Sequence, residues 1–141
     1  MGQKVNPISL RIGITGNWNS NWFIANKIKY KDFLHEDLKV RGYVKKKFFQ
    51  AGISKLEIER SSEDKMRLVV YCSKPGLLIG RKGIDIESLR KDLNKMVKKD
   101  VYIDIREVKR PEIDSQLVAE NIALQLELSL IHISEPTRHL L

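Results

Sequence analysis

Cysteine is nearly absent from this chain. The single one, Cys72, stands in the apolar run LVVYCS, so no disulfide can form within the chain and buried packing is its expected role. Histidine is almost as scarce: His35, His132 and His139 share no spacing that would make one of them the base for a nucleophile, and no cluster has metal-ligand spacing. Long apolar runs are missing too, none approaching the ~20 residues that a membrane-spanning helix needs. The opening MGQKVNP lacks the apolar core of a secretory signal. Its Met-Gly start wants Ser or Thr at position 6 for myristoylation and finds Asn6 instead. These absences argue against disulfide-stapled, metal-centred and membrane-embedded classes and leave a soluble cytosolic protein as the expectation.

Positive charge, by contrast, is abundant. Lys and Arg outnumber Asp and Glu by 26 to 18 over 141 residues, a net +8 that favours polyanionic partners. With 42% hydrophobic residues the chain can bury one core of ordinary size, so one globular domain with tails is expected.

Residues 1–30 carry few helical signals. Pro7, Gly13, Gly16 and the polar stretch WNSNW, Trp18 to Trp22, read as an extended basic arm with turns, the two tryptophans covering one edge of the core. From Tyr30 to Gln50 the positions Leu34, Leu38, Val44 and Phe48 fall near helical spacing, and Gly52 supplies the stop. The run Lys45, Lys46, Lys47 reads as a solvated face of that helix. SKLEIERS alternates Leu56 and Ile58 with charged residues, KMRLVVYCS reads as a second strand, and SSED between them supplies turn chemistry for an antiparallel hairpin. After Pro75 and Gly76 a short helical run LLI reaches Gly80. Beyond Gly83, Ile86, Leu89, Leu93 and Val97 mark one face of a longer helix. VYIDIREV turns Val101, Ile103 and Ile105 inward as a third strand, and past Pro111 a last helix, from about Ile113 to Glu127, shows Leu117, Ile122, Ala123 and Leu126. This order predicts an α+β fold in which a small three-stranded sheet is covered by helices on one face.

The stretch LLIGRKGI, Leu77 to Ile84, carries the chemistry. It is no phosphate-hydrolysis loop, because three residues separate Gly76 from Gly80 and no Ser or Thr follows Lys82, and it holds no dinucleotide fingerprint. Gly-x-x-Gly between two helices does match the loop with which KH domains clamp single-stranded RNA. Gly80 and Gly83 leave room for a sugar-phosphate backbone, the N–H groups opening the next helix favour an anion, and Arg81 with Lys82 neutralises phosphates. Ile79 and Ile84 would floor the bases. Two glycines three apart also make ordinary turns, but two strands before the loop and a third after the following helix give the type II KH order, which favours RNA contact.

Four ordered segments go further. MGQKVNPISLRIGI, the W-x-S-x-W of Trp18, Ser20 and Trp22, SKPGLLIGRKGIDIESLRKDL and EVKRPEIDSQLVAENIALQLE together resemble the bacterial small-subunit ribosomal protein S-three family from Met1 to about Glu127. The resemblance implies a type II KH domain over residues 31–127, preceded by the arm, in a structural constituent of the small ribosomal subunit that binds the 3′ domain of the small-subunit ribosomal RNA in the subunit head. It implies Gly80, Arg81, Lys82 and Gly83 as the RNA-binding loop and Gly2, Gln3, Lys4, Asn6 and Arg11 as arm contacts, with Lys109 and Arg110 in the matching KRPE segment. It further implies S-ten and S-fourteen family proteins as neighbours, a cytoplasmic or organellar ribosome as location, no membrane, no cofactor and no catalytic residue. Messenger RNA would be met only through the family's carboxy-terminal domain.

At Leu128 the likeness stops. LSLIHISEPTR matches, codon for codon, the translation of a transposase-based sequencing-library adapter, so residues 128–141 are expected to be a non-native tail in place of the family's second domain, which deprives His132 and His139 of a functional reading. One Arg and one Glu leave that tail neutral, so the whole +8 lies in residues 1–127. A free-standing KH protein that chaperones or regulates RNAs is the competing reading, and a nucleic-acid-processing enzyme lacks any constellation of nucleophile, base or metal ligands.

Overall fold

The computed structural model describes residues 2–134. Its elements are α1 (Pro7–Arg11), β1 (Ser20–Asn21), α2 (Lys27–Lys47), β2 (Ile53–Ser62), β3 (Lys65–Cys72), α3 (Pro75–Ile79), α4 (Ile84–Val97), β4 (Asp100–Glu107) and α5 (Ser115–Ser134). The alternation in β2 and β3 sets the register of their antiparallel hairpin: Leu56 lies opposite Val70 and Ile58 opposite Leu68, so one face is apolar until Arg60, which lies opposite Met66. β4 joins β3 in parallel with Ile103 beside Leu68 and Ile105 beside Val70, which extends the same apolar face. The core rests on it. Val40 and Val44 of α2, Leu78 of α3, and Leu89, Leu93 and Val97 of α4 pack there with Leu56, Ile58, Met66, Leu68, Val70, Cys72 and Val101. Each fully buried Leu contributes about 1.5–3 kcal/mol relative to exposure.

The opposite face is polar and internally paired. Arg67 bridges Glu59 at 3.4 Å and Asp104 at 2.9 Å, Lys55 meets Glu57 at 3.1 Å, and Arg106 donates to the Tyr71 hydroxyl at 3.1 Å. Three cations and three carboxylates cancel on that surface, which leaves it no net attraction for a polyanion.

Four expectations need adjustment. The sheet has a fourth strand: the arm is not merely extended, since Ser20–Asn21 pairs in parallel with Ile58–Glu59, giving the order β1-β2-β3-β4, and Pro7–Arg11 forms a helical turn capped by Asn6. Arg41 secures this edge strand by donating to the Asn19 carbonyl and the Ser20 hydroxyl, each at 2.9 Å. Second, α2 buries Phe33, Asp37, Val40 and Val44, while Leu34 and Leu38 face outward. The buried stripe runs through a carboxylate, so an apolar count placed it on the wrong side. Asp37 is tolerated inside because Arg60 donates to it at 2.5 Å and the Trp22 indole at 2.7 Å. Third, Trp22 does cover the core edge, 5.4 Å from Tyr30 and 5.8 Å from Phe33 ring to ring, but Trp18 is 60% exposed. Fourth, α5 buries only Leu117 among its described side chains, leaves Ile122 and Leu126 exposed, and continues past Glu127 to Ser134 because neither Gly nor Pro interrupts it. Pro136 and His139 lie outside the described residues.

Candidate nucleic-acid interface

α3 ends where Gly80 turns to φ 72°, ψ −168°, a conformation that essentially only glycine adopts. A Cβ there would stand 2.9 Å from Asp85 Cβ and 2.6 Å from its Cγ, so the site excludes a side chain sterically as well. Arg81–Gly83 then forms a single tight turn, and Gly83, left-handed at φ 75°, caps the start of α4. Between them Lys82 is itself left-handed at φ 55°, ψ 26°, which costs about 1–2 kcal/mol for a residue with a Cβ. Strain of this kind persists where the surrounding structure fixes it, and here it turns two cations outward.

Arg81 and Lys82 are exposed, and neither enters an ion pair among the described residues. They stand beside the first turn of α4, where the Ile84 N–H already donates to the Arg81 carbonyl and the helix dipole adds to the attraction for an anion. Asp85 and Glu87 in that turn moderate the field. Ile79 and Ile84 flank the loop with 40% and 62% of their surface exposed, as a floor for bases requires.

The sequence reading missed the groove that continues from this loop. Ile86, Glu87 and Arg90 of α4 face Tyr102 and Ile103 of β4 across a depression of about 200 Å³, and the Arg90 guanidinium lies 5.8 Å from the Tyr102 ring. An apolar floor with a ring and a cation at its wall suits an unstacked base. The signal was present: Ile86 and Arg90 are one helical turn apart, and Tyr102 is an aromatic ring among the charged outward residues Asp100, Asp104 and Arg106 of its strand.

The other expected residues are not gathered at the loop. Lys109 and Arg110 are exposed on the segment after β4. Because β3 and β4 are parallel, with Cys72 beside Glu107, that segment leaves the sheet at the end from which α3 and the loop also depart. Gly2, Gln3, Lys4 and Arg11 are exposed on the arm, and no hydrogen bond among the described residues ties them to the GRKG loop. Asn6 has a local task, its Oδ1 accepting from the Ile8 N–H at 3.0 Å to cap α1.

Neighbouring polar contacts hold the helices that carry the loop. Asp92 of α4 accepts from the Tyr43 hydroxyl at 3.0 Å and from Lys47 Nζ at 3.1 Å, both on α2. The Lys47 and Tyr43 hydrogen bonds hold the Asp92 carboxyl below its usual value. Burial, with Glu107 adding to it, pushes the Cys72 thiol up and so away from the reactive thiolate. Among the described residues no group of three or more His, Cys, Asp or Glu is placed to hold a metal ion, and no helix is long and apolar enough to cross a membrane.

Comparison with known proteins agrees with this geometry. The family model described as KH domain matches residues 39–113. Over 127 residues, 90% of this chain, the sequence is 58% identical to the small ribosomal subunit protein uS3 of Desulfatibacillum aliphaticivorans, 55% identical to that of Syntrophus aciditrophicus and 49% identical to that of Geobacter sulfurreducens. It spans 57%, 57% and 59% of their respective lengths.

Proposed function

The chain belongs to the KH domain family, and from that premise we propose that it is a structural, non-catalytic constituent of the small ribosomal subunit that binds the 3′ (head) domain of small-subunit ribosomal RNA. The observation that carries this reading is the GRKG loop, which presents Arg81 and Lys82, in no ion pair among the described residues, at the start of α4 on a backbone that requires glycine at Gly80. Relatives named as small ribosomal subunit proteins, alike over 90% of the chain, support the ribosomal setting. Phosphate contacts supply most of the affinity, while the groove beside Tyr102 and Arg90 takes bases. Lys109 and Arg110 add phosphate contacts from the same end of the sheet, and Gly2, Gln3, Lys4, Asn6 and Arg11 supply a separate arm contact. The neighbours in the subunit head are proteins of the S-ten and S-fourteen families, the location is the ribosome of the cytoplasm or an organelle, and messenger RNA is not bound by this portion.

Residues 128–141 take no part in this function. In support, the likeness to the relatives covers 127 residues, the number that precede Leu128, and Leu128 and Leu130 bury little on α5. The test is binding to a transcribed head-domain fragment, with co-sedimentation alongside. Purified protein should bind the fragment and travel with small subunits at moderate salt, and removal of residues 128–141 should change neither. A protein that binds the fragment but stays in the supernatant is instead a free-standing RNA chaperone or regulator.

A further inference from the structure

The net charge of this chain has a definite place in the fold. α2 alone holds eight Lys and Arg against three Asp and Glu, which is +5 of the chain's +8. Two of its carboxylates are spent inward: Asp37 is buried on Arg60, and Glu36 meets Arg60 and Lys99. Lys29, Lys45 and Lys47 are matched by Glu63, Glu120 and Asp92 of other segments, and Arg41 holds the edge strand. Lys27, Lys31, Lys39 and Lys46 are left exposed and in no ion pair among the described residues.

Three of these lysines lie on one line. Lys31, His35, Lys39, Gly42 and Lys46 follow one another at helical spacing, all exposed, on the side of α2 opposite the buried Phe33, Asp37, Val40 and Val44. At 1.5 Å per residue the three cations stand about 11–12 Å apart along a straight row of about 22 Å. Gly42, inside the row, has nothing within 4 Å of the place a Cβ would take, so no side chain shields the helix there. α4 repeats the pattern. Asp92 meets Tyr43 and Lys47 while Lys99 meets Glu36, so α4 runs antiparallel to α2 beside it on the sheet. With Leu89, Leu93 and Val97 turned inward, Lys91 and Lys95 face outward, exposed and in no ion pair among the described residues.

The two rows form one basic surface on the outside of the helical layer, and because α4 begins at the GRKG loop the surface continues from the candidate interface. Asp85 and Glu87 stand beside the loop and Asp32 at the far end, so the middle is cationic. Regularly spaced cations without partners call for a polyanion. The rows hold no aromatic ring on which an unstacked base could lie, in contrast to the groove at Tyr102, so this surface is not built to read bases. A duplex presents its phosphates in a fixed array, and paired RNA is recognised by shape through phosphates and 2′-hydroxyls. We infer that the outward face of α2 and α4 docks on the phosphate backbone of double-stranded RNA, next to the single strand taken by the GRKG loop. The inference rests on the RNA-binding reading above and adds a second surface to it, one for paired RNA.

The test compares the full chain with Lys39→Gln/Lys46→Gln/Lys91→Gln, three exposed positions whose replacement should leave the melting temperature unchanged. Two fluorescein-labelled probes are read by anisotropy across a range of potassium chloride: a blunt, fully paired RNA duplex and a single-stranded head-domain segment. With the duplex, the slope of log affinity against log salt should flatten by about 2.7, about 0.9 for each lost phosphate contact. With the single strand, the variant should keep the wild-type slope, whereas Arg81→Gln/Lys82→Gln should flatten it. An unchanged duplex slope in the lysine variant overturns the inference, and so does an equal loss on both probes, which would be a general effect of charge. Wild-type protein that binds the single strand but not the duplex overturns the inference alone; wild-type protein that binds neither overturns the RNA reading with it. Wild-type duplex binding combined with lost co-sedimentation in the lysine variant would give this face to an acidic protein, and overturns the inference as well.

Discussion

Gly80→Ala should destabilise the domain well beyond Gly83→Ala, although both glycines have positive φ in the same loop. At Gly83, φ 75° and ψ 17° lie in the left-handed region that other residues enter at about 1–2 kcal/mol, and the nearest atom to an added Cβ is Ile86 Cγ2 at an ordinary 3.7 Å. At Gly80, ψ −168° places the residue where side chains are essentially not found, a strain of about 1–3 kcal/mol. The added Cβ would also meet Asp85 at its Cβ, 2.9 Å away, which cannot swing aside without moving α4. Overpacking of that kind costs about 1–3 kcal/mol more, so the expected losses are about 2–6 kcal/mol for Gly80→Ala and about 1–2 kcal/mol for Gly83→Ala. Urea unfolding followed by far-ultraviolet circular dichroism measures both, with an unchanged m-value showing that the same surface is exposed. Equal losses for the two variants would refute the geometry assigned to the loop.

Further predictions concern the supports of the site. Asp37→Ala leaves the buried Arg60 with Glu36, at 3.4 Å, as its remaining carboxylate among the described residues and loses the Trp22 indole acceptor, so about 3–5 kcal/mol of stability should disappear in urea titration; a loss under about 1 kcal/mol would contradict the buried pair. Asp92, whose carboxyl Lys47 and Tyr43 hold below its usual value, contributes stability that is present above the unfolded carboxylate range and lost as pH falls through the folded value. The gap in melting temperature between wild type and Asp92→Asn should therefore narrow on acidification, and a gap that widens would refute the clamp. Cys72, fully buried with its thiol pushed up, should resist iodoacetamide at neutral pH in the native protein and react promptly in urea; equal rates would place it at the surface.

The legible parts of this fold are those in which burial follows apolarity. β2, β3 and β4 were readable because one apolar face alternates with one charged face, and α4 because Leu89, Leu93 and Val97 recur at helical spacing. The GRKG segment was readable as the turn between two helices because its glycines interrupt the helical spacing on either side. α2 misled because its inward stripe passes through Asp37, whose partners Arg60 and Trp22 are distant in sequence and reveal themselves only once β2 and the arm are in place. β1 is two residues long and is secured by Arg41 from another element, so no local pattern announces it. The groove at Arg90 and Tyr102 exists only across the gap between α4 and β4, a juxtaposition that spacing along the chain does not display.

The central claim is that Arg81 and Lys82 meet RNA phosphates, and the salt dependence of binding tests it most directly. Affinity for a single-stranded head-domain segment, measured by anisotropy across a range of potassium chloride, should fall linearly on logarithmic axes with a slope of about 0.7 per phosphate contact. Arg81→Gln/Lys82→Gln should flatten that slope by about 1.4, the contribution of two contacts, while binding weakens most at low salt. An identical slope and affinity in the variant would remove the loop from the interface, and with it the mechanism proposed for this chain.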